Sequence, residues 1–417
     1  MRSSVWTAAL RLLLVAVAVS MFSCSGGKED GKRIVIWHQM RPDEREILQR
    51  QVKRFTRANP GIQVVELYKE TEELRSAFVS AAITRRGPDL VYGPSDAVGI
   101  YAATKTIQPL EALFSRQMLA EFDTSGLLWY QGHLFQIADK IGNHLALVYN
   151  KKLLPRPPQT DEELFAVSQK IQKEFGSIAG RPKVYGLTWN YTEPFFFIPF
   201  FTGFGGWVFG PDGVTPTLDS DAMVRALKYV RALRDEKKII PNESDYEIAD
   251  ALFKDGKAAM IINGDWSWAG YAEKGLDIGV APIPKIVETG LWPAPMTSPK
   301  GFSLNTNVEG EKQALVLKLL SFLLEEENQL ETTKELNTVP TRKSLYSHPA
   351  IVSNEIIQNS LLQIRLGRPM PVVPEMRAVW DAMRPGYQAV MGGASTAEEA
   401  AKNMQKLAVR RIREMNE

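Results

Sequence analysis

One cysteine, Cys24, and four histidines, His38, His133, His144 and His348, are all that this chain of 417 residues has of those two types. A lone cysteine closes no internal disulfide. No two histidines stand four apart, and none has a second metal-type neighbour at ligand spacing, so no metal site is expected. The chain also lacks a phosphate-cradling glycine-rich loop, a Gly-x-Ser-x-Gly turn, and a nucleophile beside a base. An enzyme is therefore left without a named residue, and neither catalysis nor a cofactor is expected. The paired acids Glu72-Glu73, Glu162-Glu163 and Glu325-Glu326-Glu327 lie on amphipathic stretches and read as solvated helix faces.

Long apolar runs are missing as well. Leu12 to Val19 falls far short of the ~20 residues that a spanning helix needs. It follows Arg2 and Arg11, and small residues come after it, which is the pattern of an export signal over residues 1–23. Cys24 comes directly after, placed like the lipidated first residue of a bacterial lipoprotein. Residues 24–32, polar and glycine-rich, suit a short flexible tether. The expectation is an exported protein held by an acyl anchor on the periplasmic or cell-surface face of a membrane.

Nor is there an excess of one charge. The chain has 50 Lys and Arg against 48 Asp and Glu, and residues 1–23 hold two of the arginines and no acid. The remainder is balanced and has no basic block to follow a phosphate backbone, so a nucleic-acid partner is not expected.

What is present is ordinary globular material, 44% hydrophobic and 24% charged, in a length that suits two cores rather than one. After the tether, strand and helix patterns alternate. Ile34–Trp37 reads as a strand, and Asp43–Arg57 as a helix with Ile47, Leu48, Val52 and Phe55 on one face. Asn59-Pro60-Gly61 stops it. Ile62–Val65 is a second strand, Thr71–Arg85 a second helix, and Asp89–Tyr92 a third strand. This β-α-β-α-β order predicts a doubly wound, mostly parallel sheet with ligand space at the strands' carboxyl ends. His38-Gln39-Met40 and Gly93-Pro94-Ser95-Asp96 would face that space. Leu145–Tyr149 begins a second α/β unit, in which Thr160 should cap a helix with Glu163 as the reciprocal acceptor. The proline-rich stretch from Ala281 to Pro295 cannot be regular structure. Helical periodicity resumes from Glu309.

Nine tryptophans is a generous number. Three segments set aromatics beside carboxylates or amides: Trp189–Phe197, Asp245-Tyr246 through Trp268, and Met370 through Trp380. A pyranose needs this mixture. Its C–H face suits a flat ring, and its hydroxyl fringe suits Asp, Glu and Asn, charged acceptors making the stronger bonds.

The motifs Tyr149–Thr160, Glu193-Pro194-Phe195, Asp245–Trp268 and Met370–Trp380, with Gly61–Val64 and Gly87–Leu90, keep their order and spacing over nearly the whole chain after the signal. In these it resembles the maltose/maltodextrin-binding members of the bacterial extracellular solute-binding family 1. The resemblance implies an α/β, two-lobed periplasmic-binding-protein fold of type II, each lobe a mostly parallel sheet flanked by helices, with a hinge between. It divides the chain into residues 33–142 plus 300–343 and residues 143–299 plus 344–417. It makes Trp266 and Trp380 stacking platforms, with Phe195 in place of a tyrosine. Glu193 and Asp96 become hydroxyl acceptors, and Tyr246 and Met370 line the cleft. Gly93 stands where the family has a stacking tryptophan, and Ala97 where it has an arginine. Asn143 is near the place of a second acidic acceptor. The first loop lacks an Asp-Lys pair, for which Gln39 and Asp43 are the substitutes.

By this resemblance the chain captures a maltose-like sugar by hinge closure and, as a monomer, delivers it to the permease of an ABC importer. Two alternatives stay open. One is the same fold for another solute, such as a polyol phosphate or a peptide; the absence of an arginine at Ala97 argues against an anion. The other is a surface glycan hydrolase, with Asp96 and Glu193 as its only candidate carboxyl pair.

Overall fold

The computed structural model describes residues 32–417. The expected export signal and Cys24 lie outside the described residues. Strand β1 (Arg33–His38), helix α1 (Pro42–Ala58), β2 (Gln63–Tyr68), α2 (Thr71–Ile83) and β3 (Leu90–Pro94) follow in the expected order. In β1, Ile34, Ile36 and His38 are buried and alternate with half-buried Val35 and Trp37, because helices cover both faces. Helix α1 buries Ile47, Leu48 and Phe55, three positions of one stripe.

Next come α3 (Val98–Ala103), β4 (Leu127–Tyr130), β5 (His133–Ile141), β6 (Leu145–Asn150), α4 (Asp161–Phe175), β7 (Tyr185–Trp189), α5 (Ile198–Gly203), α6 (Asp221–Asp235), α7 (Tyr246–Lys254), β8 (Ala258–Gly264), α8 (Trp268–Glu273) and β9 (Ile278–Ala281). The chain ends through β10 (Lys300–Leu304), α9 (Gly310–Leu323), α10 (Glu326–Leu336), β11 (Val339–Pro340), α11 (Glu355–Leu366), α12 (Glu375–Met391) and α13 (Ala397–Asn416). Thr160 caps α4 as expected, its hydroxyl accepting from Glu163 N at 3.2 Å. The Glu163 carboxylate reaches one residue further back than expected and accepts from Gln159 N at 2.8 Å.

The first lobe is a seven-stranded sheet in the order β11-β5-β10-β3-β1-β2, with β4 on β5; the second is a four-stranded sheet, β9-β6-β8-β7. Within these two sheets only β1–β2, β1–β3 and β7–β8 pair in parallel, so both are mixed where mostly parallel ones were expected. The chain's route is the cause. It returns from the second lobe at the carboxyl end of β3, so β10 starts with Lys300 opposite Pro94 and must run antiparallel. Likewise β6 enters with Leu145 opposite Gly264, the last residue of β8. Local periodicity reports the strands, and the crossovers decide their direction.

Each lobe has its own core. Ile36, Phe55, Tyr92, Phe302 and Leu320 anchor the first, and Leu147, Trp189, Phe201, Leu227, Met260 and Tyr387 the second. Each such fully buried side chain contributes ~1.5–3 kcal/mol of transfer free energy. A small cluster of Ile47, Ala269 and Leu336 joins the two lobes. Two crossover segments run side by side: Ser298 N donates to Gly142 O at 2.9 Å, and Asn143 Nδ2 to Ser298 Oγ at 3.0 Å.

Candidate ligand-binding cleft

Between the lobes, at the carboxyl ends of β1, β3 and β8, lies a cleft with about 1380 Å³ of space free of protein atoms, its open mouth included. Nine residues expected from the sequence, Gln39, Asp96, Asn143, Glu193, Phe195, Tyr246, Trp266, Met370 and Trp380, lie on its wall.

The second lobe supplies the aromatic side. Phe195 lies 6.2 Å from Trp266 and 6.5 Å from Trp380, ring centre to ring centre. Trp266 Nε1 donates to the Tyr246 hydroxyl at 3.1 Å, which fixes the indole's orientation. Gly264 makes room for that indole, because a Cβ there would overlap the ring. Trp380 is 5% exposed and belongs to the second core, whereas Trp266 is only partly buried and packs against it.

The first lobe supplies a buried acid. Asp96 lies in a short 3-10 turn after β3, where Arg75 of α2 pairs with Oδ2. Trp380 Nε1 also donates to Oδ2, at 3.3 Å, across the cleft. Oδ1 of Asp96 is buried without a partner among the described residues. Glu193 is held by Arg384 through contacts of 3.0, 3.2 and 3.0 Å. A carboxylate has about four acceptor sites, so both acids keep capacity for hydroxyls.

Several of these contacts join the lobes. Glu72 of α2 pairs with Arg377 and lies 3.6 Å from Arg384, both on α12. Burial pushes the Glu72 carboxyl up, but Arg75, Arg377 and Arg384 outweigh it and hold it below the usual carboxylate range. Arg41 sits 4.2 Å over the Tyr246 ring. Gly99 of α3 meets the segment before α12, where a Cβ would overlap the Val372 carbonyl oxygen.

At the base of the cleft the crossovers carry a buried charge network. Lys140 pairs with Glu44, and Lys300 Nζ lies 3.3 Å from the same carboxylate. Asp265 accepts from Asn143 N at 3.2 Å. Burial pushes the Asp265 carboxyl up to about 6, against the pull of Lys300 and Lys140. Asn143 itself adopts φ 37°, in the left-handed region that asparagine tolerates better than most residues. It is thus a crossover residue as well as part of the wall.

Three expectations change. Asp43 is not on the wall: it opens α1, where its Oδ1 accepts from Glu44 N at 2.9 Å. Glu72 is not on a solvated face but bridges the lobes. The argument against an anion from Ala97 does not stand alone, since Arg41, Arg75, Lys300 and Arg384 all line the cleft. Each of them has a carboxylate within 4 Å, namely Glu247, Asp96, Glu44 and Glu193 respectively. These four cations were not legible in the sequence, because periodicity marks the face that leaves its own core without saying whether solvent or another lobe covers it.

Two lobes joined by crossover segments, with a cleft walled by aromatics and acids, define a solute-binding protein of the hinged type. The bacterial extracellular solute-binding protein family matches residues 50–359, and the chain belongs to that family. Among solved structures it is similar to the maltose/maltodextrin-binding domain MalE from Bdellovibrio bacteriovorus bound to maltotriose. That likeness has 42% identity and a TM-score of 0.87, over 91% of this chain and 100% of the other. It is 25% identical over 398 residues to the maltotriose-binding protein of Pyrococcus abyssi, 92% of this chain and 83% of that one. It is 22% identical over 321 residues to a maltooligosaccharide ABC transporter solute-binding lipoprotein of Streptococcus pneumoniae, 76% of this chain and 74% of that one.

Proposed function

We propose that the protein captures a maltooligosaccharide in this cleft by hinge closure and hands it to the permease of an ABC importer, without catalysis. One observation carries the reading: an aromatic wall of Phe195, Trp266 and Trp380 faces a buried carboxylate, Asp96, contributed by the other lobe. Flat rings on one side and a charged acceptor on the other match the two surfaces of a glucose unit. The relatives that bind maltotriose support the choice of sugar. The pairing of every cleft cation with a carboxylate favours a neutral ligand over a phosphate. A hydrolase would need one carboxyl to bring a proton to the leaving oxygen. Asp96 and Glu193 instead accept from Arg75 and Arg384.

The lobes of this reading are residues 33–142 with 300–343, and 143–299 with 344–417. The two cores and the paired crossovers support that division. Contacts from both lobes form only when they close, so ligand shifts the population toward the closed form. Residues 1–23 are the export signal, Cys24 takes the lipid, and the monomer stays near its permease on an acyl anchor. The lipoprotein relative supports the anchor. Labelling with palmitate, present in the native protein and lost in Cys24→Ser, tests it.

The experiment for the reading is a thermal-shift screen against glucose, maltose, maltotriose and maltotetraose. A ligand at 100 times its Kd stabilises by about 2.7 kcal/mol and raises the melting point. A rise with the malto-series is expected; no rise with any of them contradicts the reading.

A further inference from the structure

Asp96 and Glu193, one acid from each lobe, are the ends of a single chain of ion pairs that crosses between the lobes. Arg75 pairs with Asp96, and its Nη1 donates to Glu72 Oε1 at 2.9 Å. Glu72 pairs with Arg377 and lies 3.6 Å from Arg384. Arg384 in turn holds Glu193. Acid and base alternate from Asp96 through Arg75, Glu72 and Arg384 to Glu193.

Helix geometry sets this order. Glu72 and Arg75 stand three apart on α2 and share a face. Arg377, Trp380, Asp381 and Arg384 recur at helical spacing on α12 and share another, so the ring that donates to Asp96 lies beside the arginines that meet Glu72. Helix α2 packs in the first lobe through Phe78 beside Val91, and α12 in the second through Val379 and Tyr387. Arg75–Asp96 and Arg384–Glu193 therefore each stay within one lobe, and Glu72 is the link that parts when the lobes part.

A single pair of this exposure contributes little. Glu72, however, takes two arginines, and a second carboxylate already holds each of them, Asp381 for Arg377 and Glu193 for Arg384. Their side chains are set before the lobes meet, so less freedom is lost when they do.

We propose that Glu72 is a positioning residue that latches α2 to α12 and so couples the two sugar acceptors, Asp96 and Glu193, to lobe closure. The proposal rests on the sugar-binding reading above. The latch forms as the lobes close, after sugar has arrived. It governs how long sugar stays, and its loss appears in the dissociation rate.

The test is stopped-flow tryptophan fluorescence with maltotriose on the native protein, Glu72→Gln, Arg377→Gln and the double variant, at low and high salt. Glu72 lines the cleft and Arg377 does not, so Arg377→Gln breaks the latch from outside the sugar's reach. The two side chains are 36% and 39% exposed, and glutamine at either place should leave the melting point unchanged. Glu72→Gln should raise the dissociation rate about three- to tenfold and leave the association rate within about twofold. Arg377→Gln should raise the dissociation rate as well, and the double variant should match Glu72→Gln, because the two residues act as one unit. Salt should speed dissociation from the native protein more than from Glu72→Gln. An unchanged dissociation rate in Glu72→Gln overturns the latch and leaves the sugar reading intact. So does an unchanged rate in Arg377→Gln beside a raised one in Glu72→Gln, which would mean that Glu72 acts on the sugar itself. Failure of the native protein to bind maltotriose overturns both.

Discussion

Trp380 Nε1 and Asp96 Oδ2 lie 3.3 Å apart, 284 residues distant in sequence and on opposite sides of the cleft. The bond turns a ring of one lobe toward a carboxylate of the other, so the aromatic and polar walls are set by a shared contact. Asp96→Asn keeps the shape but replaces a charged acceptor and leaves Arg75 with one carboxylate fewer. Its affinity for maltotriose should fall at least about tenfold by calorimetry. An unchanged Kd would remove Asp96 from the site.

The two tryptophans should respond differently. Trp380 is 5% exposed in the second core, so Trp380→Ala should cost ~3–5 kcal/mol of stability in chemical denaturation. Trp380→Phe keeps more of that packing and loses the bond to Asp96. Trp266 is only partly buried and packs against the same core, so Trp266→Ala should reduce binding while the melting point stays within a few degrees. A collapse of the fold in Trp266→Ala would contradict this assignment.

Closure depends on Gly99. A Cβ there would overlap the Val372 carbonyl oxygen, a backbone atom that cannot rotate away. Gly99→Ala should fold normally, bind at least about tenfold more weakly, and stay in the more open form with saturating maltotriose. Small-angle X-ray scattering should show a contraction on adding sugar in the native protein and a smaller one or none in the variant. Equal contraction in both would show that closure does not bring these segments together.

The crossover network predicts a pH dependence. Asp265 faces Lys300, Lys140, Glu44 and the Asn143 N–H, and burial raises its carboxyl from the ordinary 3.8 to about 6. Between pH 4 and 6 the folded protein therefore keeps a proton that the unfolded chain has released. This group's contribution to stability is greatest below that window and falls as pH rises through it. Asp265→Asn does not titrate. From pH 4 to pH 7 the native protein should lose about 2–3 kcal/mol relative to the variant, read by urea denaturation. Parallel stability profiles would contradict the buried, proton-holding Asp265.

Much of this was legible in the sequence, for stated physical reasons. Ile47, Leu48 and Phe55 mark α1 because one stripe must meet the sheet, and the alternating strands and helices place Gln39 and Asp96 at strand ends. Glu193, Trp266 and Trp380 came from the resemblance rather than from periodicity. What stayed hidden depends on how the lobes meet. Glu72, Arg75, Arg377 and Arg384 look like ordinary helix surface: the facing lobe brings Arg377 and Arg384 to Glu72, and the fold of each lobe brings Arg75 to Asp96 and Arg384 to Glu193. The antiparallel entry of β6 and β10 was hidden for the same reason, since it follows from the crossovers.

The most direct test of the central claim is calorimetric titration of the native protein and of Trp266→Ala with maltotriose. One sugar should bind per native chain, and the variant should bind at least about tenfold more weakly, from the lost stacking and burial together. No heat of binding in the native protein, or equal affinity in the two, would contradict a sugar held against this aromatic wall.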